Sequence, residues 1–93
     1  MHMKTTNTAT VATLTRTTAH GKITTRFTFC ALVEGEALDS QANRVRVDVS
    51  GAGGSSESHK VGRTAARRWY ADEIREGARI VSRGESEYAA SRR

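Results

Sequence analysis

The chain has 93 residues, 15 Lys+Arg against 10 Asp+Glu, a formal net charge of +5 and a hydrophobic fraction of 37%. That length allows one domain with a thin core, because chains this short bury only about 60% of their unfolded surface, and no apolar run approaches the roughly 20 residues that a membrane helix needs. A lone cysteine, Cys30, excludes an internal disulfide, and the composition suits a soluble protein of a reducing, cytoplasmic compartment with no membrane partner.

Residues 1–7 are polar and are expected to be disordered; a single domain is expected over 8–81 and a polar, basic tail over 82–93. Threonine dominates from Thr8 onward, and β-branched residues suit a pleated surface, so 8–18 is expected to be the first strand. Ala19-His20-Gly21-Lys22 has the composition of a tight hairpin, with Gly21 at a positive φ. The second strand is the clearest element. Ile23, Thr25, Phe27, Phe29, Ala31 and Val33 alternate with Lys22, Thr24, Arg26, Thr28, Cys30 and Leu32, a period of two with one apolar face. A turn at His20-Gly21 would set Leu14 against Phe27 and Ala12 against Phe29. It would also put Arg16 on the inner face near the rim, and Thr13 and Thr15 on the outer face with Arg26 and Thr28.

Residues 34–43 are a polar connection with room for a helical turn at Ala37-Leu38. Arg44-Val45-Arg46-Val47-Asp48-Val49 alternates strictly and predicts a third strand with its valines inward. The Gly/Ser-rich stretch 50–55 predicts a turn, and 56–61 a short fourth strand. The period then changes. Thr64 is a candidate N-cap, and 65–81 carries Ala66, Trp69, Tyr70, Ile74, Ile80 and Val81 on one arc of about 140°. Gly77 lies on that arc. Glu73 intrudes on it and needs an edge or a partner, and Gly84 is a candidate terminator. The expected fold is α+β: a four-stranded antiparallel sheet, β-β-β-β-α, with one C-terminal helix packed on one face.

Chemical equipment is sparse. His2, His20 and His59 are dispersed and have no cysteine or carboxylate at ligand spacing, so neither a metal site nor a cofactor site is expected. Cys30 has no base placed to activate it, and the glycines of 51–54 precede a strand rather than a helix N-terminus, the wrong context for a phosphate loop. Asp48 and Glu57 could approach across a hairpin, but paired carboxylates on a strand surface are ordinarily just solvated. The chain is expected not to be an enzyme.

What remains is charge placement. Twelve of the fifteen cations are arginine, whose planar fork matches phosphate and carboxylate. Arg26, Arg44 and Arg46 belong to the outer sheet face among threonines, a face without aromatics and so ill-suited to stacking bases. Arg68, Arg75 and Arg79 fall within about 40° of each other on the expected helix, opposite its apolar arc. Lys60, Arg63 and Arg67 cluster at its start, the end less compensated by acids. An ordinary alternative is that Asp72 and Glu76 neutralise this stripe internally.

The run Thr64-Ala-Ala-Arg-Arg-Trp69-Tyr-Ala-Asp-Glu-Ile74 after a small sheet resembles the arm-type DNA-binding domains of phage integrases, over roughly 43–80. In size and outline the chain is also similar to small phage- and plasmid-encoded inhibitors of anti-CRISPR type. No site residue is carried over from either likeness. The expectation is a non-enzymatic basic protein that binds nucleic acid, or a host complex that processes it. One alternative is an anti-CRISPR-type inhibitor that contacts a host effector protein; another is a homo-oligomeric structural subunit. A second copy or a partner would help complete so thin a core, which makes oligomerisation, for example as a homodimer, the default expectation.

Overall fold

The computed structural model describes residues 8–87, so the expectations for 1–7 and 88–93 lie outside the described residues. The threonine-rich first third forms a long antiparallel hairpin of β1 (Thr8–Thr18) and β2 (Gly21–Cys30). Ala19-His20 makes its turn. The Thr18 hydroxyl accepts from the His20 N–H at 3.1 Å and donates to the Gly21 carbonyl at 2.9 Å. Both turn residues keep negative φ, and Gly21 completes the reversal at φ +125°. The turn therefore sits one residue earlier than the expected His20-Gly21. Ala12 faces Phe27, Leu14 faces Thr25 and Arg16 faces Ile23, a register displaced by two from expectation. Because side chains alternate with a period of two, the displacement leaves every residue on its expected face.

β2 ends at Cys30. Leu32 and Val33 leave the sheet and are exposed, contrary to the alternation expected up to Val33. The connection that follows is held by Asn43, which is 1% exposed. Its Oδ1 accepts from the Val33 N–H at 2.7 Å and its Nδ2 donates to the Ala37 carbonyl at 2.9 Å. A turn does begin at Ala37, where the Ser40 N–H bonds the Ala37 carbonyl at 3.1 Å, and a short 3-10 turn at Gln41–Asn43 follows it. β3 (Val45–Ser50) and β4 (Ser56–Val61) then form the second hairpin, and Val45 and Val47 are fully buried.

The helix α1 spans Arg63–Arg75. Thr64 does not cap it. Gly62 holds the N-cap position, and the Thr64 N–H instead donates to Asp39 Oδ1 at 2.9 Å, a cap delivered from the distant β2–β3 connection. The backbone and hydroxyl hydrogen bonds from Thr64 hold the Asp39 carboxyl below its ordinary pKa. A carboxyl depressed in the fold stabilises above its unfolded pKa and loses that contribution as pH falls through its folded value. Thermal melts should therefore fall progressively below about pH 4. Asp39→Asn keeps an acceptor but does not titrate, so its deficit at neutral pH should shrink in acid; a deficit constant with pH would contradict this cap.

α1 stops six residues short of the expected 81. Gly77 takes φ +101°, its N–H bonds the Ile74 carbonyl at 3.0 Å, and the Ala78 N–H bonds the Glu73 carbonyl at 2.9 Å. This pair of bonds is a Schellman ending around a left-handed glycine. The chain then turns into β5 (Arg79–Glu87), which pairs antiparallel with β1. Residues expected to belong to the helix end and to a tail, with Gly84 as terminator, are a strand. The fold is thus α+β with one helix, but the order is β-β-β-β-α-β and the sheet has five strands, β4-β3-β2-β1-β5. The helix is not C-terminal.

α1 lies on the inner face over β2 and β3. Phe27, Leu14, Val45, Val47, Ala12, Ala66 and Ala78 form the buried core, flanked by half-buried Phe29, Val49, Trp69 and Tyr70. Phe27 is its centre, with the Trp69 ring edge-on at 6.0 Å and Tyr70 at 5.5 Å. Ile74, Ile80 and Val81, expected on the buried arc, are 40–60% exposed; the helix ends before the last two, which belong to β5. Glu73 does find its partner: Arg16 on β1 donates Nε to Oε1 at 2.9 Å and Nη2 to Oε2 at 3.3 Å. This two-pronged pair closes the inner face at the turn end of the hairpin.

Candidate nucleic-acid interface

The structure divides the nine expected binding residues into three groups. The first lies on the outer sheet face, which no described element covers. Directly opposed residues share a face, so the register assembles rows across the sheet. One row is Ser58, Asp48, Arg26, Thr13 and Ser82; the next is Lys60, Arg46, Thr28, Val11 and Gly84. A third, Ser56, Ser50, Thr24 and Thr15, ends in Arg79. Arg44, just before β3, donates Nη1 to the Lys60 carbonyl at 3.0 Å at the sheet's corner. Arg79, expected on the helix, therefore joins Arg26, Arg44, Arg46 and Lys60 on the sheet. Lys22, opposite Thr17, shares this face and was not among the expected binding residues.

Asp48 is the one carboxylate that the register assigns to this face among the described residues. It accepts from Arg46 Nε at 3.0 Å and from the Ser58 hydroxyl. Burial disfavours its charge, but the Ser58 and Arg46 hydrogen bonds outweigh that, and its pKa is lowered. Asp48 thus stays ionised and offsets Arg46. Glu57, opposite Val49, lies on the other face and bonds His59 at 2.9 Å, so the two carboxylates do not meet. Lys22, Arg26, Lys60 and Arg79 form no side-chain ion pair among the described residues.

The second group is Arg63 and Arg67 at the start of α1. Arg63 is only 6% exposed and donates Nη2 to the Cys30 carbonyl, which ties it to the end of β2 and takes it out of any exposed stripe. Arg67 is exposed and unpaired among the described residues. The third group, Arg68 and Arg75, lies exposed on the helix. Arg75 bonds Asp72 at 2.6 Å, so the neutralisation read as the ordinary alternative applies to part of the stripe. The continuous helical stripe of five arginines does not exist, because Arg79 has left the helix and Arg63 is buried.

Among the described residues, no group of three His, Cys, Asp or Glu is placed to hold a metal ion, and no helix is long and apolar enough to cross a membrane. No protein family, curated protein or solved structure matches the chain.

Proposed function

We propose that the protein is a small non-enzymatic binding protein that engages nucleic acid, or a nucleic-acid-bound complex, through the outer face of its sheet. The observation that carries this is the gathering of Lys22, Arg26, Arg44, Arg46, Lys60 and Arg79 from four strands and their flanks onto one uncovered face, to which the register assigns a single carboxylate among the described residues. Threonine and serine hydroxyls stand between the cations, and both residue types contact phosphate and sugar oxygens. Both phenylalanines belong to the inner face, and among the described residues the register assigns no aromatic ring to the outer one on which to stack a base. Recognition is then of the phosphate backbone, with little dependence on sequence.

The test is the binding of a short mixed-sequence DNA duplex across a salt series. With about four phosphates neutralised, the logarithm of affinity should fall with the logarithm of salt with a slope near −3.6. The Arg26→Ala/Arg46→Ala double variant should reduce that slope by roughly one to two, whereas Arg68→Ala should leave it unchanged. Binding that is absent at low salt, or that Arg68→Ala weakens and the double variant does not, overturns the reading. Retention on an isolated host effector complex without binding to naked duplex would assign the same face to a protein contact.

A further inference from the structure

The start of α1, the end of β2 and the far strand β5 enclose a second feature on the opposite side of the sheet. Here a cavity of about 510 Å³ opens where the helix does not cover the inner face of β1. Its floor is apolar, from Ala12, Phe29 and Leu32. Arg63, Arg67, Arg83 and Tyr70 are among the residues that line it. Two of these lining residues carry a buried polar atom with no hydrogen-bond partner: Arg63 Nε, on a side chain more than nine-tenths buried, and the Tyr70 hydroxyl. Buried polar groups in folded proteins are nearly always bonded, so two unpaired ones among the lining residues are exceptional. The size falls in the range of small-molecule sites.

We infer that this cavity binds an organic phosphate monoester of nucleotide size, with its phosphate among Arg63, Arg67 and Arg83 and its ring on Phe29 and Tyr70. Three guanidiniums supply more charge than one carboxylate answers, and they match the forked geometry of phosphate oxygens. The Tyr70 hydroxyl can donate to the same anion. Ala12, Ala31 and Leu32 add apolar surface beside Thr10 and Cys30, which suits a flat body with polar edges. This site is separate from the outer face, and either can fail without the other.

The experiment is calorimetric titration of the full chain with adenosine monophosphate, inorganic phosphate and adenosine. The nucleotide should bind saturably, phosphate more weakly, and adenosine weakest. Arg67→Ala and Arg83→Ala, both at exposed positions that leave the core intact, should each weaken nucleotide binding about tenfold. Tyr70→Phe should weaken it several-fold, and the outer-face double variant Arg26→Ala/Arg46→Ala should leave it unchanged. No saturable binding up to roughly 10 mM, adenosine binding as tightly as its phosphate, or a loss caused by the outer-face variant and not by Arg67→Ala or Arg83→Ala would each overturn the assignment. Duplex binding that survives Arg67→Ala while nucleotide binding does not would show the two sites to be independent.

Discussion

Phe27→Ala should lower the stability of the fold by about 4 kcal/mol, within the range for removing a buried aromatic ring. The side chain is wholly buried and touches the rings of Trp69, Tyr70 and Phe29, so it joins the helix to the sheet. The rest of the buried core consists of small residues, Ala12, Ala66, Ala78, Val45 and Val47, beside Leu14. None can reach across the space the ring would leave, so the cavity persists. A domain of this size has on the order of 5 kcal/mol to lose, and the variant should be largely unfolded at physiological temperature. Phe27→Leu fills much of the space and should cost markedly less. Denaturant midpoints of the two variants decide the matter: a loss under about 1 kcal/mol for Phe27→Ala would mean that the helix is held by something else.

Gly21→Ala should cost roughly 3 kcal/mol, from two separable sources. At φ +125° an L side chain is strained whatever space surrounds it. A Cβ built there would also fall on the Ala52 side chain, because the turn of the first hairpin packs against the turn between β3 and β4. The double variant Gly21→Ala/Ala52→Gly removes the collision but not the strain, so it should recover about 1 kcal/mol of the loss. Full recovery would show that the backbone conformation is not strained, and no recovery would show that the two turns do not touch.

How much of this was readable in the residues depended on how local each signal is. The alternation in β2 named the buried face correctly, and pairing then oriented the threonines of β1, whose own pattern is nearly featureless. The two-residue error in register did no harm to those faces. The helix end was illegible for a geometric reason. At 100° per residue Gly77 falls on the same arc as Trp69, Ile80 and Val81, so the apolar stripe runs straight through the glycine that breaks it. The β-branched pair Ile80-Val81 just beyond was the available signal for a strand. Missing β5 placed Arg79 on the helix and Arg83 in a tail, and so hid one edge of the outer face and the third arginine of the cavity. The Asp39 cap was beyond reach, since its acceptor lies 25 residues from the amide it serves. Of the expected binding residues, Arg26 and Arg46, on strands with clear alternation, share a face as read; Lys60, read with the helix start, lies on that face as well. Those read from helical spacing were dispersed.

The central claim is that the outer face of the sheet, and not the helix, meets the polyanion. Threonine methyl groups report on it directly, because threonines occur on every relevant surface: Thr13, Thr15, Thr24 and Thr28 on the outer face, buried Thr25 on the inner face and Thr64 on the helix. In a methyl NMR titration with a short duplex at low salt, the four outer-face threonines should shift together and return as salt is raised, while Thr25 and Thr64 stay in place. Shifts confined to Thr64, or none on the outer face at saturating duplex, would contradict the account.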